Sequence, residues 1–201
     1  MKKIIVFAIC IGLFTCKSSE SNKTDSIYAD EVVLVVNYEL ENMTLEEHAA
    51  LGKAVAPNFN SEDIPGFIGK SFVGAVEREV FGGVYYFSGE ESVENFLESE
   101  MWKGVVAHPN LVNFSTYVYN SFEGTEQANG LHASRKKSNK VEDAEGLHIL
   151  VVNYNYVDPP TDEKMSSEVK QYAAVFSNEN FPGMIGKTMI NNRDKKIYGG
   201  V

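Results

Sequence analysis

The chain has 201 residues, of which 43% are hydrophobic and 23% charged, enough for one or two small globular domains around apolar cores. A formal charge of -10 sets it against nucleic acid, because an acidic surface repels phosphate and releases no counterions from it. Both cysteines, Cys10 and Cys16, precede Lys17, so the body of the protein has no disulfide, no thiol nucleophile and no cysteine-held zinc.

In chain order, Lys2 and Lys3 precede an apolar run from Ile4 to Phe14, too short to span a bilayer as a helix and shaped like an export signal over residues 1–15. Leu13-Phe14-Thr15-Cys16 resembles the lipobox of bacterial lipoproteins, which implies lipidation at Cys16, a membrane anchor and a place in the bacterial cell envelope. Residues 16–30 then read as a polar tether.

The first unit, residues 31–122, opens with a β-rich strand from Val32 to Leu40. Thr44 and Glu47 form a capping box, and Leu45, Ala49, Gly52 and Ala56 share a helical face up to Pro57. Pro65-Gly66 leads into a strand from about Phe67 to Val76, which pairs as a hairpin with Phe81 to Phe87. Ser88 and Glu91 predict a second capping box for a helix carrying Val93, Phe96, Leu97, Met101 and Val105, stopped by His108-Pro109. Leu111 to Phe122 supplies a fourth strand. The order β-α-β-β-α-β is that of a ferredoxin-like α+β unit, with both helices on one face of an antiparallel sheet.

Residues 123–146 are polar and read as a linker, its Arg135-Lys136-Lys137 run being solvated. Residues 147–201 then repeat the first unit in order: Leu150-Val151-Val152-Asn153-Tyr154 matches Leu34-Val35-Val36-Asn37-Tyr38, Pro182-Gly183-Met184-Ile185-Gly186-Lys187 matches Pro65-Gly66-Phe67-Ile68-Gly69-Lys70, and Gly199-Gly200-Val201 matches Gly82-Gly83-Val84. The second copy is read as a strand over His148 to Tyr156, a helix with Met165, Val169, Tyr172, Ala173 and Phe176 on one face, a strand from Met184 and a third from about Ile197. Because the third strand of this fold lies between the first and second, the expectation is a fragment of a longer protein, or else a second copy without a connected sheet and with open edges.

The stretch Ile64-Pro65-Gly66-Phe67 through Gly82-Gly83-Val84-Tyr85-Tyr86-Phe87, with Lys103-Gly104-Val105-Val106-Ala107-His108-Pro109-Asn110, resembles the YdhR-like monooxygenases of the antibiotic-biosynthesis monooxygenase superfamily. That resemblance implies a dimeric α+β barrel, here one complete copy and one truncated copy forming a homodimer or an intramolecular pseudo-dimer. It further implies oxygenation of a small aromatic phenol or quinol with no cofactor and no metal. Such chemistry needs an apolar pocket, a donor for the developing anion and a group that takes the substrate proton. Asn37, Trp102 and His108 are the catalytic candidates, with Tyr38, Phe67, Tyr85 and Tyr86 as substrate-binding candidates, while His48 is assigned to solvent and Lys70 to a snorkelling role. Two alternatives stand beside it. One is a non-catalytic lipoprotein that binds a hydrophobic ligand or a protein partner. The other is a haem-binding or haem-degrading protein, which Asn37 and the Asn95–Glu100 helix favour and Phe87 and the position of His108 oppose.

Overall fold

The computed structural model describes residues 28–123, 148–176, 179–184, 186–192 and 194–201. The export signal, Cys16, most of the tether and nearly all of the linker lie outside the described residues. The elements in order are β1 (Tyr28–Leu40), α1 (Leu45–Val55), β2 (Phe67–Ala75), β3 (Val80–Phe87), α2 (Glu90–Glu98), α3 (Glu100–Val106), β4 (Leu111–Phe122), β5 (Val152–Tyr154), α4 (Asp162–Val175), β6 (Met189–Asn192) and β7 (Ile197–Gly200).

The seven strands form one antiparallel sheet in the order β2-β3-β1-β4-β6-β7-β5. Its first four strands are the ferredoxin-like arrangement of an α+β unit. β1 and β3 are central in it, so Val32–Val36 and Phe81–Phe87 are buried throughout. Alternation along the strands sends their side chains to two separate cores. Val32, Leu34, Val36 and Tyr38 pack with Phe81, Tyr85 and Phe87 beneath the helices, against Val93 and Phe96 of α2. Val33, Val35, Val84, Tyr86 and Tyr119 face the other way and pack with Ile190, Ile149, Val151, Ile197 and Val201 of the second copy. The second copy therefore joins the first twice, through the β4–β6 pairs Asn120↔Asn191 and Ser121↔Ile190 and through this shared apolar layer.

Local chemistry explains the boundaries. The capping box of α1 forms, with Glu47 N–H donating to Thr44 Oγ1 at 3.2 Å and Thr44 N–H to Glu47 Oε2 at 2.8 Å. The second expected capping box does not: Gly89 caps α2 without a side-chain bond, and Ser99 breaks the expected single helix in two. Ser99 is extended, its hydroxyl donating to Phe96 O at 2.6 Å and accepting from Trp102 N–H at 3.1 Å. One residue thus ends α2 and opens α3.

The chain departs from expectation at the start of the first copy and in several places in the second. Tyr28–Asp30, assigned to the tether, already belong to β1. β5 spans three residues rather than His148 to Tyr156, and β6 begins at Met189 rather than Met184. The sheet is nevertheless connected, which corrects the expectation of a disconnected copy: β7 pairs with both β5 and β6, and β6 continues onto β4. Four residues suffice because β7 lies between its two partners. Helix α4 buries Met165 and Val169 against Phe122, Met189 and Tyr198, while Tyr172, expected on that face, is 56% exposed.

Candidate functional site

Helix α1 buries only part of the face that its small residues suggested: Gly52 turns inward and Ala56, just past its end, is buried. Leu45 is 47% exposed and Ala49 is exposed, and the helix instead turns His48, Leu51, Gly52 and Val55 toward the sheet, at i, i+3, i+4 and i+7. Between this face, α3 and the sheet lies a cavity of about 250 Å³. Tyr38, Tyr85, Lys70 and Phe72 form its floor. Asn58 and Phe59 close the end after α1, and Met101, Gly104, Val105, His108 and Leu111 close the opposite wall. Among the described residues no carboxylate lines it, although the chain carries 28 acidic residues.

Lys70 dominates the chemistry. Its Nζ lies 3.7 Å from the centre of the Phe59 ring, 3.9 Å from Phe72 and 4.4 Å from Tyr85, a three-ring cage. Among the described residues it forms no ion pair, and burial holds its amine well below the ordinary lysine value of 10.5. The lysine stem reaches the cage by crossing β3 at a glycine: a Cβ on Gly83 would stand 2.8 Å from Lys70 Cε and 2.9 Å from Tyr85 Cε2. Gly82 is required for another reason, since a Cβ there would fall inside the Val36 carbonyl oxygen of β1.

Beside the lysine, the Tyr38 hydroxyl and His48 Nε2 are hydrogen-bonded at 2.8 Å. Burial pushes the Tyr38 phenol up to about 12 and also raises Tyr85. Burial, followed by the charge of Lys70, lowers His48. The arrangement gathers a caged amine, an imidazole and two protonated phenols around one apolar space, all able to exchange protons with a bound molecule.

Of the sequence candidates, Tyr38, Tyr85 and His108 line the cavity, His108 accepting the Asn110 backbone N–H at Nδ1 over 3.3 Å. The other four do not. Asn37 shares the strand parity of Val33 and Val35 and so faces away from the helices. Trp102 packs between Phe96 and Phe114, with ring centres 5.8 and 6.1 Å away. Phe67 packs edge-on against Phe87 and tilted against Phe59 in the core, and Tyr86 belongs to the opposite face. His48, Lys70, Phe59 and Phe72 are the cavity residues that sequence reasoning passed over.

The repeat carried the missing signal. In the second copy Lys187 Nζ lies 3.6 Å from the Phe176 ring, and a Cβ on Gly200 would stand 2.5 Å from Lys187 Cε, so lysine, ring and glycine recur together. The helices diverge. Thr44 and Thr161 both cap by accepting a backbone N–H three residues on, which aligns His48 with Met165 and Gly52 with Val169. Met165 and Val169 are buried core, and the cavity occupies the space that their counterparts leave.

A family model described as "Putative mono-oxygenase ydhR" matches residues 33–142, more than half of the chain. Among solved structures, SnoaB, a cofactor-independent oxygenase from Streptomyces nogalater, is 14% identical over 45% of this chain and 91% of its own, with a TM-score of 0.36. The haem-degrader MhuD from Mycobacterium tuberculosis is 18% identical over 44% and 93%, with a TM-score of 0.37. A protein from Shewanella oneidensis is 12% identical over 47% and 94%, with a TM-score of 0.40. No curated protein matches.

Proposed function

The chain belongs to the ydhR mono-oxygenase family, and from that premise we propose that the cavity of the first copy oxygenates a small phenol or quinol without a cofactor, with Lys70 as the base. The observation that carries this reading is the placement of the Lys70 amine over three aromatic rings in a cavity that no carboxylate lines among the described residues. In its unprotonated form the Lys70 amine takes the phenolic proton, and the resulting ammonium faces the phenolate that it made. The phenolate supplies one electron to dioxygen, and the radical pair joins at a ring carbon as a hydroperoxide. Loss of water leaves a carbonyl. One oxygen atom stays in the product, the other departs in water, and all the electrons come from the substrate. His48 and Tyr38 relay the protons that the last step needs.

The cavity volume supports a substrate of one or two fused rings. Pockets for drug-sized ligands run about 300–1,000 Å³, so about 250 Å³ is small even for those and favours a phenol over haem. The joined sheet and the shared apolar layer support the second copy as the other half of an intramolecular pseudo-dimer. A lipid anchor at Cys16 and an envelope location rest on the leader sequence. Labelling cells with an alkynyl fatty acid would test them: incorporation lost in Cys16→Ser supports the anchor, and incorporation retained refutes it.

Oxygen uptake with a panel of phenols and naphthols tests the reaction. Uptake that forms a quinone in a 1:1 ratio, abolished by Lys70→Met, is the expected result. Micromolar binding of the same phenols without oxygen uptake would overturn catalysis and leave a binding protein.

A further inference from the structure

The geometry points to a second use of the same cavity: Lys70 condenses with small aromatic aldehydes and ketones to give a reversible imine. This goes beyond the oxygenation reading and does not depend on it, because the reaction involves no dioxygen and no change of oxidation state.

An amine captures a carbonyl efficiently when its lone pair is free, when an apolar surface holds the carbonyl compound beside it and when protons can be moved to and from oxygen. The cavity meets each condition with separate features. The Lys70 side chain makes no ion pair among the described residues, and its Nζ contacts ring faces rather than an acid. The walls are largely aromatic and aliphatic, which suits an aryl carbonyl compound. The hydrogen-bonded Tyr38 and His48 pair lines the same space. The lowered basicity of Lys70 agrees with this arrangement.

The step balances. The Nζ electron pair attacks the carbonyl carbon, the C=O π pair moves to oxygen, and a proton passes from nitrogen to oxygen to give a carbinolamine. A second proton, delivered through Tyr38 and His48, lets the oxygen leave as water while the nitrogen pair forms C=N, and the proton still on nitrogen then returns to the Tyr38 and His48 pair. Amine and carbonyl give imine and water, and hydrolysis reverses the sequence. Lys187 provides an internal comparison: it has the same glycine crossing and a ring contact, but it is half-buried beside the single ring of Phe176, whereas Lys70 lies among three rings in the cavity.

The test incubates the full chain with benzaldehyde and sodium cyanoborohydride and follows the benzyl mass increment by intact mass and peptide mapping. The expected result is one increment, on Lys70, formed roughly tenfold faster than on Lys187 or the exposed Lys53, Lys103 and Lys164. Lys70→Arg, whose guanidinium stays protonated, loses it. An increment spread evenly over the lysines of the wild-type chain overturns the proposal, as does one that persists in a folded Lys70→Arg variant. Because wild-type mapping decides the first point, a variant that fails to fold does not rescue the idea. Oxygen uptake measured on the same preparation reports separately on the oxygenation reading.

Discussion

Gly52 is the residue whose replacement should separate stability from function. It sits inside α1, where glycine is less favourable than alanine by about 0.5–1 kcal/mol, and its position corresponds to the buried Val169 of α4. A Cβ added there meets only Phe72 Cδ1, at 3.9 Å, an ordinary contact. Gly52→Ala should therefore stabilise the protein by about 1 kcal/mol, or about 2–4 °C in Tm for a chain of this size. Gly52→Val adds two methyl groups that project into the cavity. Each contributes about 0.8 kcal/mol when buried, offset in part by the stiffness of a β-branched residue in a helix. The same methyls compete with a bound ring. If accommodating both costs about 1–3 kcal/mol, the affinity for 1-naphthol falls about 5–150-fold. Urea unfolding at unchanged m value gives the first quantity and titration calorimetry with 1-naphthol the second. Destabilisation by Gly52→Ala would refute the placement of α1, and an unchanged naphthol affinity in Gly52→Val would refute the cavity as the binding site.

Gly82→Ala should cost more than about 3 kcal/mol, because the added carbon meets backbone of β1 that cannot retreat, whereas Gly83→Ala should cost about 1–3 kcal/mol, its clash being with the ends of side chains. Urea midpoints check the order, and Lys70→Ala should recover part of the Gly83→Ala loss. Stability should rise with pH from the neutral range towards pH 10: Lys70 and Lys187 bind a proton more readily when unfolded, so unfolding takes up protons in that window. Above pH 10 the trend should reverse, since Tyr38 and Tyr85 keep their protons longer when folded; thermal melts across pH 7–11 check both signs, and Lys70→Met should flatten the rising limb. Asn37→Ala should leave 1-naphthol affinity within about twofold of wild type, as the side chain lies on the other face of the sheet, a calorimetric comparison that Lys70→Met should fail by far more.

Strand order and most boundaries of the first unit were legible because period-2 and helical patterns are local. β4 spans Leu111–Phe122 as read, and the capping box fixed the start of α1. The break at Ser99 was hidden, because Phe96, Leu97 and Met101 keep helical spacing across it and the bond that breaks it is a hydroxyl to Phe96 O. Residue type misled the choice of site. Asn37 and Trp102 carry obvious chemistry, but strand parity sends the first to the far face and ring packing takes the second into the core. His48 lay beside Glu47 on a helix whose small residues suggested a different buried face, and only the sheet beneath the helix reveals which side turns inward.

The duplication turns these placements into an argument about which features are scaffold. A lysine stem that crosses a sheet at a glycine and ends over a phenylalanine occurs in both copies, so that motif answers a need of the strand pair: the ring face compensates part of the desolvation of the amine, and the glycine gives the stem room. In the second copy the helix above carries Met165 and Val169, which are buried against Phe122, Met189 and Tyr198, and the lysine there is half-buried beside Phe176. In the first, His48 and Gly52 stand at those positions, and the same lysine faces an open apolar space with an imidazole and a phenol beside it. The reactive group thus comes from the shared framework, and what surrounds it, the two divergent positions of α1 and the wall from Met101 to Leu111, decides whether it has anything to react with. Grafting those positions, as His48→Met with Gly52→Val, should convert the first copy into a second core, raising the urea midpoint while removing both naphthol binding and benzaldehyde capture at Lys70; retention of either would mean that the cavity depends on something other than the helix face.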